Sequence, residues 1–344
     1  MQTLTISKPD DFHLHLRDGE AMSSVVNYSA AQFSRAIVMP NLKPPITTVD
    51  MAVSYYNRIL DNVNEEYNFE PLMTLYLTDN MSPSEIDKAA ETKSITALKY
   101  YPAGATTNSD SGVTDIKKIY SVLEAMMKNG LPLLLHGEVN DIEVNVFDRE
   151  KIFIDRVLTP LVDDFSELKI VLEHISTKEA VDFILNASDN LAATITPQHV
   201  LLNRSDFFDV SFQPHNYCFP VLKEEHDRLA VLGAATSGNC KFFLGTDSAP
   251  HPRSKKESGC GCAGIFSAYN ALGIYAEIFD EQNKLDKLEA FASFFGADFY
   301  GLERNDEKIT LIKNKTKIPE MVTFDNDKLV PLRAGENCAW QVKY

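Results

Sequence analysis

Eight short apolar runs, separated by longer segments with helical patterns, constrain the fold of this chain more than any other feature. Most of the runs do not alternate apolar with polar residues, which is typical of parallel strands buried on both faces. They lie near Asp10–His13, Arg35–Met39, Pro71–Leu77, Ala97–Tyr100, Pro132–His136, Lys169–His174, Leu191–Thr196 and Lys241–Thr246. Eight strand–helix units in one undivided chain predict an α/β fold of the (β/α)8 TIM-barrel class.

Helix boundaries can be read in the segments between these runs. Thr48–Val63 begins at a threonine with Asp50 in its first turn. Thr177–Leu185 carries Glu179 near its start, where the helix dipole favours an anion. Val113–Lys128 is followed by an Asn-Gly pair, a typical stop signal. These patterns predict helices that return the chain to the start of the next strand.

An open, doubly wound sheet is the alternative fold. Its glycine-rich phosphate-binding turn is absent after the first run, where His13–Gly19 stands instead. No repeat, low-complexity segment or Pro/Gly/Ser-rich linker divides the chain. We therefore expect residues 1–344 to form one domain, with the C-terminal segment 285–344 packed on the barrel.

The charge of the chain excludes two classes of partner. Lys and Arg total 33 and Asp and Glu total 49, which gives a formal net charge of 33 − 49 = −16. Nucleic acids and anionic membranes both require a basic surface, so we expect neither as a partner. The chain lacks a membrane-length apolar run and a signal-peptide pattern at its start. Its five cysteines are sparse and odd in number, which favours reduced thiols and a cytoplasmic location.

Polar residues stand at the C-terminal ends of the runs, where the catalytic groups of (β/α)8 barrels lie. The set has four histidines, a lysine and an aspartate: His13, His15, Lys99, His136, His174 and Asp247. His13 and His15 form an H-x-H pair, and strand alternation turns both imidazoles to the same face. An isolated histidine is more often a structural residue than a ligand. The concentration of the whole set at strand ends favours a metal centre.

Lys99 is the unusual member of this set, because an ammonium group does not bind a metal. A lysine at a strand end can extend its amine to solvent. A buried lysine instead has a depressed pKa, because desolvation disfavours the charged form. The neutral amine can react with carbon dioxide to form a carbamate, whose two anionic oxygens can bind one metal each. The two interpretations are a solvent-facing lysine and a bridging ligand of a binuclear centre.

Seven segments carry a resemblance to a known family: Asp11–Gly19, Val38–Asn41, Leu98–Asn108, Leu135–Glu138, Glu173–Ser176, Phe243–His251 and Lys256–Gly264. From about residue 3 to its end, the chain resembles the amidohydrolase superfamily and, within it, the dihydroorotases of the bacterial monofunctional type. The metal-ligand pattern alone specifies only the superfamily. Arg17, Asn41, Thr106-Thr107 and His251, together with the Cys-Gly-Cys-Ala-Gly run, are specific to this dihydroorotase type.

The resemblance implies a metal centre of two zinc ions. The first zinc would be held by His13, His15, Lys99 and Asp247, and the second by Lys99, His136 and His174. Lys99 would be N6-carboxylysine, and a hydroxide would bridge the two ions. Asp247 would be both a metal ligand and the general acid/base.

The implied reaction is the reversible cyclisation of N-carbamoyl-L-aspartate to L-dihydroorotate in pyrimidine (UMP) biosynthesis. In the ring-opening direction the bridging hydroxide would attack the ring amide carbonyl while Asp247 transfers its proton. The alternative is another cyclic amidohydrolase, such as a dihydropyrimidinase, hydantoinase or allantoinase, because these enzymes share the metal cluster. A metal-free relative that acts as a scaffold is disfavoured, because no ligand is missing.

The resemblance also implies the residues that bind the substrate: Arg17, Asn41, Thr106, Thr107, Phe219, His251 and Ala263. Arg17 would bind the substrate carboxylate through its fork of donors, with Asn41 and His251 beside it. Phe219 and Ala263 would contribute backbone groups to the ring amide. The Pro102–Gly112 loop has the small, polar composition of a lid, so the hydroxyls of Thr106 and Thr107 would close on the substrate.

Two further expectations follow from the resemblance. The protein would be a homodimer. The anionic substrate would not conflict with the acidic chain, because two zinc ions, Arg17 and a protonated His251 would make the local field positive.

Overall fold

The computed structural model describes residues 2–259 and 261–343. Cys260 lies outside this part, as do the two terminal residues. The strands are β1 Thr3–Ser7, β2 Asp10–Leu14, β3 Arg35–Val38, β4 Glu70–Tyr76, β5 Ile95–Tyr100, β6 Leu133–His136, β7 Ile170–Glu173, β8 Leu191–Ile195, β9 Phe242–Leu244, β10 Lys308–Lys317, β11 Val322–Phe324, β12 Asp327–Leu329 and β13 Asn337–Val342.

Strands β2 to β9 form one eight-stranded sheet in which neighbours in sequence are neighbours in space. Every pairing within it is parallel. The sheet closes between its first and last strands, where His15 N donates to Ser248 O at 3.1 Å and Asp247 N donates to His13 O at 2.9 Å. The predicted (β/α)8 barrel is confirmed, and each of the eight apolar runs overlaps one of its strands.

Thirteen α-helices lie in the described part of the chain: α1 Gly19–Ser23, α2 Val26–Ala30, α3 Val49–Leu60, α4 Pro83–Glu91, α5 Tyr120–Asn129, α6 Arg149–Phe153, α7 Thr159–Asp164, α8 Lys178–Asn186, α9 Pro197–Leu201, α10 Glu225–Thr236, α11 Arg253–Lys256, α12 Ala271–Glu281 and α13 Phe295–Tyr300. Thr48 and Thr177 cap α3 and α8 with their hydroxyls, as the sequence predicts. The predicted start of the Val113–Lys128 helix is wrong, because a 3-10 turn at Ile116–Ile119 precedes α5.

The barrel interior has an apolar layer with a polar layer above it. Ala97, Leu134 and Val171 belong to a buried cluster inside the barrel. Side chains of a strand return to the same face every second residue, so Lys99, His136 and Glu173 lie on that inner face one layer nearer the C-terminal end. The period of the strands therefore brings ionisable groups together in one layer, directly above the apolar layer of the barrel interior.

Helix α13 covers the opposite end of the barrel. The ring of Tyr300 stacks on Phe12 with centroids 5.1 Å apart, and Lys169, which precedes β7, donates to Phe299 O at 2.6 Å. This helix therefore closes the N-terminal mouth with aromatic side chains. The open C-terminal mouth is the end at which the strand-end residues lie.

A small antiparallel sheet of β1, β10 and β13 joins the two ends of the chain. Strand β1 was not among the predicted strands, and its partners come from the C-terminal segment. In that segment Trp340 is fully buried, and its indole donates to Asp280 of α12 at 3.0 Å. The assignment of residues 1–344 to a single domain stays a prediction. Within the described residues, none of the helices has both the length and the hydropathy needed to span a bilayer.

The packing of α13 makes a prediction about stability. A Cβ at Gly296 would overlap the Phe12 ring, whereas a Cβ at Gly233 in α10 would meet no atom within 4 Å. We expect Gly296→Ala to lower the free energy of unfolding by about 1–3 kcal/mol through overpacking. The control Gly233→Ala should raise it by about 0.5–1 kcal/mol, because alanine favours the helix. Urea denaturation measures both, and equal stabilities for the two variants would contradict this packing.

Candidate metal centre and substrate pocket

A buried aspartate, Asp11, stabilises the seam of the barrel, which is the junction between its first strand β2 and its last strand β9. Two of the segments that carry candidate ligands meet there. Asp11 Oδ1 accepts from the backbone N–H groups of His13 at 3.1 Å and Thr246 at 2.8 Å, and Oδ2 accepts from the Thr246 hydroxyl at 2.6 Å. Burial raises the pKa of this carboxyl to about 7. Asp11 thus holds the H-x-H segment close to Asp247, which directly follows Thr246.

The first group of candidate ligands lies at this seam. His13 Nε2 and His15 Nε2 are 3.3 Å apart. Asp247 Oδ1 is 3.4 Å from His13 Nε2 and 3.2 Å from His15 Nε2. All three side chains are buried. The structure therefore brings these three predicted residues together around one point.

The second group lies across the barrel mouth. His136 Nδ1 and His174 Nε2 are 3.2 Å apart, and both rings are buried. The His13 and His174 ring centroids are 5.0 Å apart, so the two groups adjoin each other. Lys99 lies within this ring of ligands, fully buried, with its amine paired to Glu173. The solvent-facing interpretation of Lys99 is excluded.

Outer acceptors determine which nitrogen of three imidazoles carries its proton. His15 Nδ1 lies 2.9 Å from Asn41 Oδ1, and His136 Nε2 lies 3.2 Å from Glu138 Oε2. His13 Nδ1 lies 2.9 Å from Glu173 Oε2, although its N–H direction is not aligned with that oxygen. An oxygen acceptor beside the outer nitrogen favours the tautomer that carries the proton there, which leaves a lone pair on the inner nitrogen.

The lone pairs of His13 and His15, which face each other at 3.3 Å, repel unless a cation lies close to both. Burial lowers the pKa of His13, and it lowers the pKa of His15 and His174 well below the usual range, so these rings are neutral. Neutral imidazole nitrogens and a carboxylate oxygen are the donors that zinc and similar metals bind. The donor set therefore fits a metal centre.

Backbone conformation supports a functional origin for this cluster. His174 and Asp247 have φ angles of 45° and 43°, and Arg17 has a φ of 65°. These are left-handed conformations that non-glycine residues rarely adopt, and they concentrate at functional sites. His174 follows Glu173, so simple alternation would place their side chains on opposite faces. The left-handed residue accompanies the break in alternation that brings both side chains to the barrel mouth.

A pocket opens directly above the imidazoles. Its lining includes six of the seven predicted substrate-binding residues: Arg17, Asn41, Thr106, Thr107, Phe219 and Ala263. His251, the seventh, lies behind Arg17, with its Nε2 3.0 Å from Arg17 Nη2. Arg17 Nε also donates to Pro250 O at 2.9 Å, so the guanidinium is held at the pocket wall. Six of the predicted substrate-binding residues therefore share one cavity with five of the candidate metal ligands.

The expected protonation of His251 is wrong. Burial, followed by the nearby Arg17 charge, lowers the pKa of His251 to about 2. The neutral ring can accept a hydrogen bond from the guanidinium through Nε2. Arg17 thus carries the positive charge of this wall, and His251 orients it.

Asn41 connects the candidate metal ligands to the loop of residues 102–112. Its Oδ1 faces His15, and its Nδ2 donates to Thr107 O at 3.1 Å. Asn108 Nδ2 returns a hydrogen bond to Asn41 O at 3.0 Å, and the Thr107 hydroxyl donates to Ala263 O at 3.4 Å. The loop is therefore folded over the pocket. Both polar groups of the Asn41 side chain have protein partners in this arrangement.

Residues 10–314 match the sequence profile of the Amidohydrolase family. A dihydroorotase of Acaryochloris marina is 59% identical over 342 residues, which cover 99% of each chain. A dihydroorotase structure from Campylobacter jejuni superposes with a TM-score of 0.91 at 36% identity, over 99% of this chain and 98% of the other. A dihydroorotase from Saccharomyces cerevisiae in complex with 5-fluoroorotic acid superposes with a TM-score of 0.92 at 34% identity, over 100% and 99%.

The chain belongs to the dihydroorotases. These are cyclic amide hydrolases of the amidohydrolase family, as the residue pattern predicts. In a dihydroorotase, the clustered histidines and carboxylates identify the barrel mouth as a metal centre.

Sequence reasoning missed three residues of this dihydroorotase site. Glu173 directly precedes His174 and Glu138 follows His136 by two residues, and only the barrel shows that their carboxylates face His13 and His136. The third is Tyr101, two residues after Lys99. It lines the pocket, and its hydroxyl is buried with no hydrogen-bond partner among the described residues. Period-two counting from Lys99 could have found it.

The burial of Lys99 makes a prediction about the metal centre. We expect Lys99→Ala to lose most of the bound metal and at least about 100-fold in activity, since loss of ligand-supporting groups alone costs 10–100-fold. The matched control is Lys255→Ala, which removes an exposed lysine. Elemental analysis and steady-state rates measure both effects. Full metal content in Lys99→Ala would show that this lysine is not a ligand.

Proposed function

We propose that the protein is a zinc-dependent dihydroorotase that interconverts N-carbamoyl-L-aspartate and L-dihydroorotate in pyrimidine (UMP) biosynthesis. One observation carries this proposal. A pocket with the Arg17 guanidinium on its wall lies directly above four buried, converging imidazoles. The carboxylate of the substrate requires the guanidinium, and hydrolysis of its ring amide requires the metal centre.

The residues that would hold the metals are those at the barrel mouth. His13, His15 and Asp247 would hold one zinc ion, His136 and His174 a second, and carboxylated Lys99 both. Bound there, the two ions would lower the pKa of a water molecule and polarise the scissile carbonyl. Burial lowers the pKa of Lys99, which favours the neutral amine that carboxylation requires.

Asp247 is the proposed general acid/base. Its Oδ1 lies between His13 and His15, which leaves Oδ2 to carry the proton. Burial raises the pKa of this carboxyl, so it is a stronger base than an exposed aspartate. In ring opening, Oδ2 would take the proton of the attacking water and return it to the departing amide nitrogen. The reverse transfer serves cyclisation.

The pocket walls would hold the substrate on two sides. Arg17 would bind the carboxylate, oriented by His251 and by the carbonyl of Pro250. The backbones of Phe219 and Ala263 would bind the ring amide on another side. Thr106 and Thr107, on the loop folded over the pocket, would exclude water during the reaction.

Location and assembly complete the proposal. A cytoplasmic enzyme is supported by the four cysteines of the described residues, all of which are free thiols. A homodimer is supported by the resemblance to bacterial dihydroorotases. The partner in catalysis is a small molecule, and the acidic chain disfavours nucleic acid.

Two substrates test the proposed function against the other cyclic amidohydrolases. Dihydrouracil has the same ring as dihydroorotate but lacks the carboxylate. We expect the wild-type enzyme to hydrolyse dihydroorotate with a kcat/KM at least about 100-fold higher, since charged hydrogen bonds contribute about 1.5–3 kcal/mol each. Arg17→Met should keep its zinc and lose about 10- to 100-fold in kcat/KM for dihydroorotate only.

The control for this experiment is Arg304→Met, which removes an exposed arginine of the opposite end of the barrel. It should match the wild type with both compounds. Preferential hydrolysis of dihydrouracil by the wild type would instead support a dihydropyrimidinase.

A further inference from the structure

A lysine outside the metal centre is buried beside the pocket without an acidic partner. Lys256 is the last residue of α11, and only 4% of it is exposed. Its Nζ donates to Tyr217 O at 2.7 Å and to Gly264 O at 2.8 Å. The ammonium also lies 5.8 Å from the centroid of the Tyr217 ring. Among the described residues, no carboxylate forms an ion pair with it.

This arrangement is costly for the folded chain. A buried ammonium loses its hydration, and two carbonyl dipoles with an aromatic ring replace only part of it. Burial accordingly lowers the pKa of Lys256 to about 8. An apolar side chain of similar length would fill the same space without this penalty. The cost therefore points to a role for the two hydrogen bonds themselves.

The two carbonyls belong to the two segments that form one wall of the pocket. Tyr217 lies two residues before Phe219 in the segment after β8, and Gly264 directly follows Ala263 in the segment after β9. The segments also contact each other, because Gly264 N donates to Tyr217 O at 2.9 Å. Lys256 is thus a bridge between the backbones that carry Phe219 and Ala263.

The path of the second segment leaves little room for adjustment. Gly264 has a φ of +144°, and a Cβ there would come within 2.8 Å of both Ala249 O and the His251 ring. The Ala263 carbonyl accepts the hydroxyl of Thr107 at 3.4 Å, so the folded loop also docks on this segment. A shift of Gly264 would therefore move the pocket wall and the docking point of the loop together.

We propose that Lys256 is a positioning residue, which holds the backbones of Phe219 and Ala263 at the separation that the ring amide of the substrate requires. This inference rests on the proposed dihydroorotase function. Lys256 acts through the two carbonyls that it binds. Its removal should weaken recognition of the ring more than recognition of the carboxylate, which is the task of Arg17.

Lys256→Met tests the proposal, because methionine keeps much of the length and apolar surface but removes the donors. The matched control is Lys255→Met, which removes the exposed lysine next to it on the same helix. We expect Lys256→Met to raise the KM for dihydroorotate about tenfold with a smaller change in kcat, as expected for lost hydrogen bonds. Zinc content and the thermal midpoint should match those of the control.

Two substrate analogues, assayed as competitors of dihydroorotate, separate positioning from a general electrostatic effect. 5-Fluoroorotate has both the ring amides and the carboxylate, whereas succinate has carboxylates and no ring. Lys256→Met should raise the inhibition constant of 5-fluoroorotate about tenfold and that of succinate less than threefold. Lys256→Gln retains a donor without the charge, so it should recover part of the 5-fluoroorotate affinity.

Several results would overturn the proposal. Kinetics of Lys256→Met equal to those of Lys255→Met would show that the bridge is dispensable. Equal weakening of both inhibitors would assign Lys256 an electrostatic role. Loss of zinc or of folding in both Lys256 variants would make it a structural residue. A wild-type protein that does not hydrolyse dihydroorotate would instead refute the proposed function, and so the two failures are distinguishable.

Discussion

The architecture of the site depends on imidazole lone pairs that are held face to face. Asn41, Glu173 and Glu138 each place an oxygen beside the outer nitrogen of a clustered histidine, which favours an inner nitrogen without a proton. Burial keeps the rings neutral where their pKa is lowered. The folded chain thereby holds lone pairs at a separation where they repel each other, and a bound metal would remove that repulsion. Binding of the metal should therefore stabilise the fold by mass action.

The barrel provides the rigid support that this repulsion requires. The period of the strands places Lys99 and His136 directly above an apolar layer, and Asp11 joins the first and last strands beneath His13 and Asp247. Further from the metal centre the support comes from loops rather than strands. His251 holds Arg17, and Asn41 holds the loop of residues 102–112. Lys256 holds the wall that Phe219 and Ala263 form. The candidate metal ligands therefore depend on the strand ends, and the pocket walls depend on the loops.

The sequence predicted the elements that follow from periodicity and left out those that depend on tertiary contact. The eight barrel strands are short apolar runs and the H-x-H pair is a period-two pattern. Both are local features, so the residues alone place them. The meeting of His174 with His136 depends on a left-handed residue, which no local pattern at this position signals. Strand β1 pairs with residues some 300 positions away, and the roles of Glu138 and Glu173 appear only when the strands are side by side. The neutral state of His251 likewise depends on burial beside Arg17.

Zinc titration of the chelator-stripped enzyme tests the central claim most directly, because it measures whether the clustered imidazoles are a catalytic metal centre. The rate of dihydroorotate hydrolysis and the bound zinc per chain are followed together. The account predicts that the stripped enzyme is inactive and that activity returns with bound zinc up to two ions per chain. Full activity of the stripped enzyme, or no recovery of activity on saturation with zinc, would contradict it.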